Sequence, residues 1–430
     1  MTAQSVDVTT FANAMKTDYF KNIITSQLNN QQKLVSIFTK DIEGFESGGN
    51  QLQASIKTLR NYAVRSVADG GLLAAPKAPQ YELLTIPKRY TYGSMQVTGP
   101  SIKQSMKSEA TFSKVMDEVT TDLVDSIDRF RNRVLCSFGR GILAYVNGAG
   151  TGVATIAVDN PGGFTGSING NRYLNPGMDV AIMNPTTGQV YSFRTIDSIN
   201  QSNFLEITFT SPVNALEAPD NAVLVLASTD GTNIETSLDI EPMGLMGIAD
   251  DGTFVNNYFG KSRTTYPILK STVIPTVGIL TALKLQRGLD GAERKSQKTP
   301  DVYLMDHSIR REYLGIREAD FRYLDDKMHP DVGFDGGALN GEVKYTKTKV
   351  IPVSDMPYGF WLGIHKGSMI RTVDAEGEWV NEDGAILSRI PNRDVFLANY
   401  RIFENFWAKQ PNTCFRLDGI TATIDSDHIF

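Results

Sequence analysis

The sequence predicts an α+β fold, and three observations predict it. Residues 109–143 repeat apolar side chains every three or four positions, the mark of one long amphipathic helix. Residues 150–235 break into short apolar runs separated by Gly, Pro, Asn and Asp clusters, the texture of consecutive strands. Residues 81–107 alternate apolar with polar side chains, which is strand period.

Taken in order, residues 1–68 read as mostly helical and polar. Phe11, Met15, Phe20, Ile23, Ile24 and Leu28 form a rough apolar stripe that Leu34, Val35 and Phe38 continue. Beyond breaks at Gly44 and Gly48-Gly49, Leu52 to Val67 reads as a further helix. This apolar content is thin for an independent core, so the segment is expected to lie on a further surface, in its own chain or in a neighbour. Gly70-Gly71 then punctuate the chain as a flexible connection.

In 81–107, Tyr90, Tyr92, Met95 and Val97 alternate with polar residues, and Pro87 and Gly99-Pro100 bound the strands. The expectation is a long two-stranded excursion carrying Lys88, Arg89, Lys103 and Lys107. A lone hairpin is marginal in water, so it needs something to lie on. Lys88, Arg89, Tyr90, Tyr92, Lys103 and Lys107 are therefore the candidate contact residues, and the resemblance given below implies that the contact is inter-subunit.

The helix follows, with Phe112, Val115, Met116, Val119, Leu123, Ile127, Phe130, Val134 and Phe138 on one face. Asp125 and Arg129 stand in the favourable i,i+4 order on the other. Gly139 and Gly141 mark its end. Strands are then expected at 153–158, 179–183, 191–196, 204–209 and 222–227, forming a small barrel or sandwich with a hairpin turn at Pro185 to Gly188. After Gly244 the pattern is mixed. A helix is predicted from Pro275 to Gly288, a strand at Val302 to Met305, and a short helix at Ser308 to Leu314. A loop rich in Asp and Gly spans 318–341. Strands follow at 343–353, 360–364, 396–407 and 414–420.

Composition narrows the function. The formal net charge is −6, which argues against a main surface that grips a phosphate backbone. Cys136 and Cys414 cannot make a disulfide framework. His307, His329, His365 and His428 are scattered, with no metal-ligand spacing. No apolar run is long enough to span a membrane, and the N-terminus lacks the features of a secretory signal. Gly260-Lys261-Ser262 lacks the earlier glycine of a phosphate loop, that position being Val255. Gly148, Gly150 and Gly152 follow a helix and miss the dinucleotide spacing. Hydrolase elbow and zinc-protease motifs do not occur. The acidic pairs Asp325-Asp326 and Glu382-Asp383 read as solvated loops. No catalytic residue, cofactor or metal ligand is expected, and the chain is not expected to be an enzyme.

The order of elements resembles the major capsid protein of tailed double-stranded DNA bacteriophages, the Hong Kong 97 fold. The stretches that carry the likeness are RYTYGSMQVTGPSIKQS at 89–105, NGAGTG at 147–152 and GLMGIADDG at 244–252. The resemblance implies an N-terminal arm at 1–69, an E-loop hairpin at 70–107 and the spine helix of the P domain at 108–149. It further implies an inserted small β-barrel-like module at 150–240, an A domain with linking segments at 241–375, and a P-domain return with the C-terminus at 376–430.

The implied function is a structural virion protein. Hexamers and pentamers would close an icosahedral head shell around double-stranded DNA, held non-specifically. The implied partners are a scaffolding protein, a portal and an optional decoration protein, with no membrane. Assembly would take place in the cytoplasm of the bacterial host. The competing readings are a β-rich phage tail or adhesin-like structural protein and, more remotely, a carbohydrate-active enzyme. Some relatives join an E-loop Lys to a neighbour's Asn. Lys88, Lys103 and Lys107, with Asn392, Asn405 and Asn412, are the candidates, and no such cross-link is expected here. The N-terminal segment is expected to be a retained arm, with no coiled-coil scaffold fused ahead of it.

Overall fold

The computed structural model describes residues 34–41, 51–100, 109–165, 168–202, 204–321, 344–345, 348–381, 386–390 and 392–422. The apolar stripe expected between Phe11 and Leu28 lies outside these residues, as does most of the 318–341 loop. The chain runs through β1 (Thr39–Asp41), β2 (Gln51–Leu59), β3 (Gln80–Pro87) and β4 (Arg89–Thr98) into the long helix Glu109–Leu135. Then come β5 (Ile142–Val146), β6 (Val153–Asp159), β7 (Asp179–Met183), β8 (Val190–Ile199), β9 (Glu206–Val213), β10 (Val223–Thr229) and β11 (Ile234–Thr236). A short helix, Leu245–Ile248, leads to β12 (Asn257–Tyr258), β13 (Lys261–Ser262), β14 (Thr272–Ile274) and β15 (Gly278–Ile279). The helix Ala282–Ser296, β16 (Val302–Met305) and the helix His307–Phe321 follow, then β17 (Lys344–Tyr345), β18 (Thr348–Pro352) and β19 (Trp361–Ile364). The last strands are β20 (Met369–Trp379), β21 (Ser388–Arg389), β22 (Val395–Ala408), β23 (Phe415–Leu417) and β24 (Ile420–Thr421).

β22 organises the first sheet. It pairs antiparallel with β20 from Met369↔Ala408 to Trp379↔Tyr400, and with β4 from Thr98↔Val395 to Arg89↔Glu404. β1 joins β20 in parallel, and β21 pairs with the start of β22. The long helix has 27 residues, about 40 Å. It comes close to the sheet at Gly93, where a Cβ would sit 2.5 Å from Ile127 Cδ1. Its Arg131 makes a two-pronged contact with the buried Glu404, at 2.7 and 2.9 Å, and Arg371 reaches the same carboxylate. The expected apolar face holds where side chains are described, with Ile127 and Val134 buried. Phe138 lies past the helix, stacked on Phe254 at 4.4 Å.

The β-rich stretch is a closed barrel. β10, β5, β6, β9, β8 and β7 pair in turn, and β10 pairs again with β7. Its core holds Leu143, Val158, Leu174, Val180, Ile182, Ile207, Phe209 and Leu224. Closure removes free strand edges. One excursion leaves it: Phe164 packs in the main core beside Phe138 and Phe360, at 4.3 and 4.8 Å. Arg172 reaches Asp306 at 3.0 Å.

The second sheet has the order β14-β23-β19-β16-β18-β17. The helix Ala282–Ser296 covers it through Leu285, Leu289 and Ala292. Three expectations need correction here. This helix starts at Ala282, not Pro275, because Thr281 caps it by accepting from the Lys284 N–H. It runs past Gly288 because that glycine marks a contact with Phe415 and not an end. The boundary expected at 375/376 falls inside β20, and the C-terminal segment divides, β22 entering the first sheet and β23 the second. A fourth correction concerns Leu52 to Val67. It is strand and irregular chain, since Leu52, Ala54 and Ile56 bury at period two.

The second sheet, through Arg416 on β23, and the β12–β13 hairpin, through the adjoining Arg263, meet at a buried ion cluster. Asp250 is fully buried between Arg263, at 3.3 Å, and Arg416, at 3.1 Å. Its Oδ2 also accepts from the N–H groups of Gly252, Phe254 and Val255. Arg263 donates to the Gly247 and Ile248 carbonyls, and Arg416 to that of Met246 and to Asp418. Burial pushes the Asp418 carboxyl above its usual range, against the pull of Arg416. Asp250→Ala leaves two buried guanidinium groups without their shared counter-ion. The expected loss is about 3–5 kcal/mol of subunit stability, read by urea unfolding of unassembled protein. A loss under about 1 kcal/mol would show that the cluster is dispensable.

Candidate assembly surface

The described residues hold no group of three or more His, Cys, Asp or Glu side chains placed for a metal ion. No helix among them is long and apolar enough to cross a membrane. A cavity of about 260 Å³ opens between the long helix and the first sheet. Its polar lining includes Arg131, which already binds Glu404, and Arg371, which binds Glu404 and Glu376. Burial pushes the Cys136 thiol well up and that of Cys414 up to about 11, so both stay protonated and inert at neutral pH.

The feature that stands apart is an arm. β2 and β3 pair antiparallel from Gln51↔Pro87 outward. One face of this ribbon carries Leu52, Ala54, Ile56, Leu84 and Ile86 and lies on the main core. The other face leaves Tyr81 and Leu83 exposed. Beyond the ribbon, residues 60–68 and 71–79 run out and back without regular secondary structure. Each leg can reach at most ~30 Å. Gly70, at φ +72°, forms the turn between them, and the Gly71 N–H bonds the Ala68 carbonyl at 2.8 Å. Arg65 ties the legs together by donating to the Leu72 carbonyl.

Along both legs every residue is exposed except Ala63, Ala74 and Pro79, which are half-buried. Val64, Leu72 and Leu73 are 86%, 84% and 77% exposed, and Tyr62 is 68% exposed. Lys57, Arg60, Arg65 and Lys77 stand against one acid, Asp69. Clustered exposed apolar side chains with a positive surround form a surface that gains by being covered.

Of the residues singled out from sequence, Lys88, Arg89, Tyr90 and Tyr92 lie at and on β4. The strands expected in 81–107 exist but do not pair with each other. β3 pairs with β2, and β4 belongs to the first sheet on β22. Strand period fixes which residues alternate and carries no information about the partner strand. Lys88 forms an ion pair with Asp374 at 3.0 Å. Arg89 donates to the Asp239 carbonyl at 2.9 Å. Tyr90 and Tyr92 stand edge-on to Phe403, at 4.8 and 5.7 Å between centroids, and each is about half exposed. Lys103 and Lys107 lie outside the described residues. Gly70 is the tip of the arm and not a link between domains. Asn405, a candidate cross-link acceptor, is buried with its amide bonded to Pro87 and Met243.

A signal for the arm was present in the sequence. Pro76 and Pro79 bar a helix, Asp69-Gly70 is turn chemistry, and Val64, Leu72 and Leu73 follow no core-facing period.

No family model and no curated protein matches the sequence. Among solved structures, the chain is similar to a chain of the cyanophage A-1(L) capsid asymmetric unit. Identity is 10%, the TM-score is 0.57, and 93% of this chain covers 96% of that one. It is also similar to a chain from the capsid of Myoviridae phage XM1, at 8% identity and TM-score 0.47, covering 93% and 95%. The encapsulin SrpI of Synechococcus elongatus PCC 7942 is similar at 9% identity and TM-score 0.42, covering 95% and 96%. Identities this low speak to fold alone. At that level the resemblance read from the sequence holds: the chain has the fold of the tailed-phage capsid proteins.

Proposed function

We propose that the chain is the shell-forming subunit of a tailed-phage head, assembling as hexamers and pentamers into an icosahedral shell. The observation that carries this reading is the arm at 60–79, an exposed apolar and basic surface on a capsid fold. Its work is association, with no bond made or broken. The arm crosses to a neighbouring copy and buries Val64, Leu72 and Leu73 there, each burial contributing about 1.5–3 kcal/mol. Repeated heterologous contacts of this kind generate rings where the rotation between copies closes. The formal charge of −6 limits adhesion of packaged DNA to the wall by repulsion. A separate scaffolding protein, a portal and an optional decoration protein complete the set of partners.

The direct test is negative-stain microscopy of the chain expressed with a scaffolding protein. Closed particles support the proposal. Open tubes point to a tail protein, and a strictly monomeric product rejects the shell. Two variants locate the contact. Replacing residues 61–78 by a short Gly-Ser turn should leave circular dichroism and unfolding of the subunit unchanged, since the legs are exposed. It should abolish closed particles, and a normal particle yield would remove the arm from assembly. Leu72→Asp with Leu73→Asp should lower particle yield by about ten-fold or more at equal subunit solubility, the loss expected when burial worth ~1.4 kcal/mol or more disappears.

A further inference from the structure

The arm has a root as well as a tip. β12 and β13 form a tight hairpin with Phe259-Gly260 at its turn, at φ +47° and +86°. A two-residue hairpin needs positive φ there, which Gly or Asn adopts freely. Phenylalanine in that region is strained and persists only where its surroundings hold it. Here they do. Phe259 is buried in the main core with its ring 4.7 Å from that of Tyr258. Its carbonyl accepts the Thr85 N–H at 3.0 Å, on the edge of β3 that β2 leaves free.

The same hairpin grips β3 a second time. Lys261 forms an ion pair with Glu82, and the Tyr266 hydroxyl donates to the other Glu82 oxygen at 2.9 Å. The Tyr258 hydroxyl is bonded to both the carbonyl and the N–H of Ala408, so the hairpin is fixed to the end of β22. Ser262 is followed directly by Arg263 of the buried ion cluster. Hydrogen bonding from Lys261 and then Tyr266 holds the Glu82 carboxyl below its usual range, consistent with an engaged ion pair.

We propose that the Asn257–Ser262 hairpin is a clamp that sets the direction in which the arm leaves the subunit, with Glu82 as its positioning residue. A two-stranded ribbon is soft in twist and bend. The apolar face of Leu52, Ala54, Ile56, Leu84 and Ile86 holds it down without fixing an angle, because apolar burial is non-directional. The bonds at Glu82 and Thr85 are directional, and they engage β3 before the arm leaves the body. The consequence for a shell rests on the function proposed above: subunits with a fixed arm direction meet at one curvature.

The test is hydrogen–deuterium exchange on the unassembled full-length chain, read in peptides spanning Gln80–Pro87. Glu82→Gln keeps the shape and removes the charge. It should speed exchange there by about ten-fold or more, with β5 to β10 unchanged. Lys261→Met should do the same, and the double variant should be no faster than either single one. Exchange in 80–87 within about two-fold of the parent would overturn the clamp. Equal acceleration in β5 to β10 would overturn it too, since Glu82 would then act on global stability. A parent chain that shows the expected exchange and yet never closes particles would reject the shell function while supporting the clamp.

Discussion

A single buried carboxylate, Asp250, is the point on which the arrangement of the molecule turns. An ionised group taken out of water is costly unless it is fully paired. Asp250 is paired by Arg263, Arg416 and three backbone N–H groups. The two guanidinium groups are paired in turn by carbonyls of Met246, Gly247 and Ile248. Those carbonyls close a helix of four residues that has no stability of its own. Cations at its C-terminal end complement the free carbonyls. Gly244 and Gly247 complete the site, because a Cβ at either would meet the Ser137 or Phe138 carbonyl, at 2.0 and 2.6 Å. The end of the long helix, the second sheet through Arg416 on β23, and the root of the arm through Arg263 therefore converge on one charge.

Other buried ion pairs follow the same logic. Glu404 links the long helix to β20 and β22, Asp306 links the barrel excursion to the second sheet, and Glu241 pairs with Arg133 of the long helix. Each spans two parts of the fold. Buried pairs add little net stability over apolar replacements, because desolvation offsets their attraction. What a guanidinium fork adds is a fixed angle. Apolar cores hold the barrel and the sheets together internally, and the pairs fix how these bodies sit against one another. Phe164 adds an apolar peg to the same junction.

Much of this was legible in the sequence where periodicity is local. The long helix as far as Leu135, the barrel strands β6 to β10, Val302–Met305 and the long strand β22 stand close to where their patterns placed them, whereas β5 lies in residues assigned to the spine-helix segment. The stretch GLMGIADDG at 244–252 was singled out as carrying the likeness, and it holds Asp250 of the ion cluster. The ion cluster was invisible, since Asp250, Arg263 and Arg416 are far apart in sequence and each reads as a surface residue. The partner of β3 was equally hidden: alternation around Tyr90 is the same whether β4 pairs with β3 or with β22. The candidate contact residues were therefore placed in and around β4, where Lys88 and Arg89 are bonded within the chain and Lys103 and Lys107 lie outside the described residues. The arm lay in residues that read as helix followed by a connection.

The contrast between body and arm is itself a physical statement about association. The barrel closes on itself and offers no free edge to a partner. One edge of the first sheet is β4, and Arg89 at its start and Lys88 just before it are bonded within the chain. The closed barrel and the charged start of β4 disfavour pairing with a foreign strand. The arm does the reverse, holding Val64, Leu72 and Leu73 in solvent on two unpaired legs. A monomer gains nothing from such a segment, which costs chain entropy wherever it is held extended. Under the function proposed above, that cost is recovered when a neighbouring copy covers the legs. In the proposed shell, confining the exposed apolar surface to one projection with a clamped root would make the contact specific in direction, which growth of a closed assembly requires and an amorphous aggregate does not.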